Sequence, residues 1–130
     1  MDVYEIAKQY LGGTIASEGI LAQKQCTATC VITIPAEDVV KNCKIQCLNA
    51  TTRYVKVRYS FDLKKGAKVK AVVRIYKGGR LVGRGEWVHE TPGWCWALPT
   101  DWCGINEERE IYIRNVNHGD RLTVRFEVYK

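Results

Sequence analysis

Six cysteines, four tryptophans and two histidines are the residues of this chain best suited to chemistry. Cys26, Cys30, Cys43 and Cys47 form two CX3C pairs, and Cys95 and Cys103 follow later. Four thiolates can hold zinc. Zinc ribbons, however, join two cysteines through a tight knuckle of about two intervening residues. A CX3C pair on a strand spans about 13 Å at roughly 3.3 Å per residue, too far to share an ion. The expectation is therefore disulfides, with no metal and no cofactor. Val31-Ile32-Thr33-Ile34-Pro35 is β-branched and ends in proline, which suits a strand. Folded as an antiparallel hairpin, the segment has one register in which Cys26 opposes Cys47 and Cys30 opposes Cys43. The residue numbers of both pairs have the same sum, so each pair falls directly opposite, within bonding reach. That register sets Cys26, Ala28, Cys30, Ile32 and Ile34 against Val39, Lys41, Cys43, Ile45 and Cys47 on one face. Lys41 on that face, and Val31 and Val40 on the other, are its exceptions. Cys95 and Cys103 then close a compact loop.

That loop, residues 91–104, carries Trp94, Trp96 and Trp102. Flat aromatic rings stack on sugars, so the three are candidate ligand-binding residues. The competing expectation is that they pack on the Cys95–Cys103 bond and plug an end of the fold, since tryptophan favours burial with its N–H satisfied. No catalytic residue is assigned. Ser17 and Ser60 lie in no GxSxG setting, and His89 and His118 form no HExxH pair. Glu86, Glu90 and Asp101 are acids that glycoside hydrolysis could use, if folding brought two of them together. Lys56, Arg58, Lys64, Lys65, Lys68, Lys70, Arg74, Lys77, Arg80, Arg84, Arg121 and Arg125 are basic, and read first as a solvated charged surface. Asn49-Ala50-Thr51 matches the N-glycosylation pattern.

The elements that must position these groups are mostly strands. Val55, Val57, Tyr59 and Phe61 alternate with Lys56, Arg58 and Ser60. Residues 68–76 and 81–88 make a hairpin about Gly78-Gly79. Gly83 and Gly85 in its return strand predict a bulge or a close approach. Residues 111–113 and 122–128 are expected as a last hairpin turned at Asn117-His118-Gly119-Asp120. Residues 2–11 read as a short amphipathic helix with Val3, Ile6, Ala7, Tyr10 and Leu11 on one stripe, capped by Asp2 and ended by Gly12-Gly13. Ile20-Leu21-Ala22 reads as a short strand. The expected fold is one all-β domain over residues 1–130. Helix and extension occupy 1–25, and an antiparallel β-sandwich of about seven strands, stapled by disulfides, occupies 26–130.

The 130 residues suit one core, and the net charge of +6 permits but does not require an anionic partner. No run approaches the roughly 18 apolar residues of a membrane span. Met1-Asp2-Val3-Tyr4-Glu5 lacks the basic and apolar pattern of a signal peptide. Disulfides without such a signal point to an extracellular or virion setting, or to the cytoplasm of a hyperthermophile. The twin CX3C spacing resembles the small disulfide-linked chaperones of the mitochondrial intermembrane space. That likeness covers the four cysteines alone, and the β-branched residues between them depart from a helical hairpin. The unsignalled Met1-Asp2-Val3 start, the Cys26/Cys30/Cys43/Cys47 set and the compact β-domain together resemble structural proteins of hyperthermophilic archaeal viruses. That resemblance implies a non-enzymatic virion or filament subunit forming a homo-oligomer or polymer, with Val3, Ile6, Tyr10 and Leu11 on the self-association surface. The alternative is a module whose tryptophan loop binds a glycan or an anionic polymer.

Overall fold

The computed structural model describes residues 25–130. The expected helix over residues 2–11, its self-association residues Val3, Ile6, Tyr10 and Leu11, and the short strand at 20–22 lie outside these residues.

Seven strands follow in order: β1 (Cys26–Ile32), β2 (Val40–Ala50), β3 (Tyr54–Lys64), β4 (Lys68–Lys77), β5 (Arg80–Glu90), β6 (Trp102–Tyr112) and β7 (Leu122–Tyr129). They form two sheets, ordered β1-β7-β4-β5 and β2-β3-β6. Strict alternation explains why each strand faces as it does. Val55, Val57, Tyr59, Phe61 and Leu63 of β3 are buried, and the residues between them reach the outer surface. Leu122, Val124, Phe126 and Val128 of β7 do the same from the other sheet. The aromatic rings join the layers. Phe126 stacks on Tyr59 with centroids 4.4 Å apart, and Phe61 lies 6.4 Å from Phe126. Val72 is buried although it faces outward; its cross-strand neighbours Glu86 and Glu127 are both held in ion pairs.

The cysteines pair as Cys26–Cys47, Cys30–Cys43 and Cys95–Cys103. The expected hairpin that would bring the first four together is absent. β1 runs parallel to β7, with Cys26 opposite Leu122 and Ile32 opposite Val128, and β2 bonds to β3 in the other sheet. Thus β1 and β2 oppose each other across the sandwich rather than within one sheet. A constant sum of residue numbers describes any antiparallel juxtaposition, so it chose the right sulfurs with the wrong hydrogen-bond partners. Packed sheets stand about 10 Å apart. Here the Cα separations are 6.2 and 6.0 Å, so the staples pinch this lateral edge shut.

The exceptions to the expected facing also have a cause. Asn42 adopts φ 57°, and the β2–β3 register shifts between Lys41 and Lys44. The extra residue changes the phase: Val39 and Val40 are both buried, and Lys41 turns outward. Ile34 leaves β1 in a short 3-10 turn and is 83% exposed.

The hairpin about Gly78-Gly79 is present, with both glycines at positive φ as a tight two-residue turn demands. Its register shifts beside Gly83. A Cβ on Gly83 would stand 2.7 Å from an Ile113 methyl and 2.8 Å from the Tyr112 carbonyl oxygen. The glycine therefore lets β5 meet the end of β6, and Arg114 N–H donates to Val82 O at 3.1 Å across this edge. The expected hairpin of residues 111–113 with 122–128 is not formed. β6 pairs with β3, whereas β7 crosses to the first sheet and lies between β1 and β4. The turn at residues 117–120 is tight, but it connects layers instead of neighbouring strands.

Candidate functional site: the tryptophan loop

The loop between β5 and β6 is built on one buried bond. Cys95 and Cys103 are fully buried, with Cα atoms 5.8 Å apart. Cys95 is the middle residue of a 3-10 turn, Gly93–Ala97. Successive side chains in such a turn are about 120° apart, so burying Cys95 directs both its neighbours outward. Trp94 and Trp96 are each 60% exposed. The expectation that these two rings plug the sandwich is overturned; the disulfide itself fills that space. Trp102 differs. It starts β6, is half-buried, and carries the Lys41 ammonium 4.2 Å from its ring centroid.

Hydrogen bonds hold the loop against the β3–β4 turn. Gly66 N–H donates to Thr91 Oγ1 at 2.8 Å, and Lys65 N–H donates to the Asp101 carbonyl at 2.8 Å. The Lys65 ammonium donates to Leu98 O at 2.6 Å and lies 5.9 Å from the Trp96 ring. The result is a fixed apolar step of Trp94, Trp96 and Leu98 beside a lysine. Ile34 belongs to the same end of the sandwich, because β1 and β7 end there together and β4 begins there.

Trp87 was not singled out by its spacing. It lies in β5 and faces inward, covering Gly85, where a Cβ would stand 2.4 Å from the indole. The Arg109 guanidinium sits 4.8 Å from its ring. The available signal was a glycine two residues earlier on the same strand face. Behind Trp87, Tyr59 Oη and His89 Nε2 share a 2.6 Å hydrogen bond. Burial raises the Tyr59 pKa above the ordinary tyrosine value and holds that of His89 below the ordinary histidine value. Glu107 pairs with Arg109 at 3.4 Å beside them.

The remaining candidates are dispersed. Glu86 is bound by Arg84 and Lys70 on the outer face of β5. Glu90 lies four residues further on, about 13 Å away along a strand, and Asp101 is an exposed residue at the far end of the loop, just before β6. Ser60 faces outward on β3, and His118 is exposed in the layer-crossing turn. Many of the basic residues face carboxylates: Arg58 and Lys56 with Glu108, Arg74 and Arg125 with Glu127, and Lys77 with Asp120. Arg84 and Arg58 hold Glu86 and Glu108 below the usual carboxylate range, and Arg125 does the same for Glu127. The side-chain amide of Asn49 donates to the Tyr54 hydroxyl at 3.1 Å, so the glycosylation pattern is engaged in the β2–β3 turn.

No protein-family model, curated protein or solved structure matches this chain. Among the described residues, no helix is long and apolar enough to cross a membrane, and no cluster of histidine, cysteine and acidic residues could hold a metal.

Proposed function

We propose that this protein is a non-enzymatic binding module that holds a glycan against the open rings of Trp94 and Trp96. The observation carrying this reading is the 60% exposure of both indoles on a loop closed by a disulfide. Exposed indole surface on a fixed scaffold presents stacking area with little ordering to be lost on binding. Lys65 lies beside the Trp96 ring and would bind a carboxylate or sulfate group, which extends the ligand class to acidic sugars. The buried Tyr59–His89 pair supports a structural role more than catalysis, since Tyr59 is fully enclosed and His89 is 9% exposed. A glycan array probed with the full chain tests the reading. Binding should fall at least tenfold in Trp94→Ala/Trp96→Ala; an array without a hit, or a hit indifferent to that change, would sink it.

A second reading is a self-associating subunit of an extracellular or virion filament or particle from a hyperthermophile. Three cross-links and the exposed Ile34 and Tyr112, 83% and 72% accessible, favour it. Charged side chains work against pairing at the edge strands: β5 exposes Arg84 and Glu86, and β6 exposes Glu108 and Glu110. Size-exclusion chromatography and negative-stain microscopy decide this. A monomer at high concentration would exclude it and leave the glycan reading standing.

A further inference from the structure

The outer face of the β2-β3-β6 sheet holds a shallow groove of about 440 Å³, lined by Asn42, Lys44, Ser60, Asp62, Gly104 and Asn106. We propose that this groove is a second saccharide site, one that takes a neutral sugar. For the ligand class it rests on the glycan reading of the tryptophan loop, but separate observations support it.

Gly104 is the first of these observations. It sits in mid-strand, where glycine weakens a sheet. Its φ is not in the left-handed region, and an added Cβ would meet only Asp62 Oδ1, at 3.8 Å. Neither backbone strain nor packing calls for a glycine. What its missing side chain does is clear the groove floor beside Asn106, its neighbour on the same face of β6. Asn42 is the second. It is held at φ 57° by the β2 irregularity, and its amide donates to Asp62 Oδ2 at 2.7 Å. The bulge thus fixes the Asn42 amide along the groove.

The chemistry selects the ligand. Asp62 keeps one carboxylate oxygen beyond the Asn42 bond. Among the described residues, the side chains of Lys44, Ser60 and Asn106 make no hydrogen bond or ion pair. Carboxylate, amide, hydroxyl and ammonium groups together offer donors and acceptors to a pair of sugar hydroxyls. The single charges of Lys44 and Asp62 oppose each other, which favours a neutral ligand over an anion.

The test is amide-shift NMR on the full chain, titrated in turn with cellotetraose, xylotetraose, mannotetraose and maltotetraose. At least one sugar should move the amides of residues 42–44, 60–62 and 104–106. Gly104→Leu has room to fold and fills the floor, so it should weaken that response at least tenfold. Asn106→Ala, which removes an exposed side chain, should also weaken it while leaving the fold unchanged. No response there to any of the four sugars overturns the proposal, and so does a response that survives Gly104→Leu. Shifts confined to residues 93–98 uphold the tryptophan loop and overturn the groove; shifts confined to the groove do the reverse.

Discussion

His89 and Tyr59 show how one hydrogen bond sets a pH limit. Burial depresses the His89 pKa, so the unfolded chain takes up a proton that the folded chain refuses. The stability from neutral His89 is therefore complete above the unfolded value of about 6.5 and is lost as pH falls through the lower folded value. Thermal melts from pH 7.5 downward should show this loss. His89→Gln should flatten the slope, and an unchanged slope would clear His89 of the effect. Carboxylates held low by arginine, such as Glu127, act later: their contribution is present above the unfolded value of about 4.3 and is lost below it. Tyr59→Phe leaves His89 Nε2 buried without its partner, at a cost of about 1–3 kcal/mol by chemical denaturation.

Among the elements, β1 and β5 close the two lateral edges of the sandwich by different means. At β1 the closure is covalent. Chain-entropy reasoning assigns about 3 kcal/mol to each of the Cys26–Cys47 and Cys30–Cys43 staples. Replacing all four cysteines by serine should lower the melting temperature and expose β1 to exchange earlier than β3, because β1 is then an edge strand with β7 as its one hydrogen-bonded neighbour, whereas β3 lies between two strands. Hydrogen exchange followed by strand would check it; equal protection of β1 and β3 would contradict it. At β5 the closure is steric. Gly83→Ala drives a Cβ toward the Tyr112 carbonyl and should destabilise by about 1–3 kcal/mol. Gly104→Ala meets no such wall and should be neutral or stabilising by roughly 0.5–1 kcal/mol. Urea titrations of the two variants read this contrast directly.

At the scale of the molecule, the core and the proposed ligand surfaces are separable. Trp94 and Trp96 stand clear of the core, so Trp94→Ala/Trp96→Ala should change stability by less than about 0.5 kcal/mol while removing glycan binding. A large drop in melting temperature would mean that the rings support the fold after all. The outer ion pairs, such as Arg58–Glu108, are well exposed and contribute little to stability individually. Their larger effect is to offset much of the basic charge, while Lys65 stays beside Trp96 and Lys41 over Trp102 in the loop.

Legible in the residues alone were the sulfur pairing, the strands other than β6, of which only residues 111–113 were expected, and which side chains of β3 and β7 point inward. Those properties are local or nearly so: alternation has a period of two residues, and each disulfide among Cys26, Cys30, Cys43 and Cys47 closes a short loop. Which strands are neighbours follows from how the whole chain packs. Main-chain hydrogen bonds carry no residue code, so nothing in residues 26–32 reveals that β1 would pair in parallel with β7, almost a hundred residues later. The exposure of the tryptophans was decided at the same level. Trp94 and Trp96 read as core by type, and they face outward because Cys95 between them takes the inward position. The groove over Gly104 was illegible for the same reason, since its walls come from three strands and its floor is a side chain that is missing.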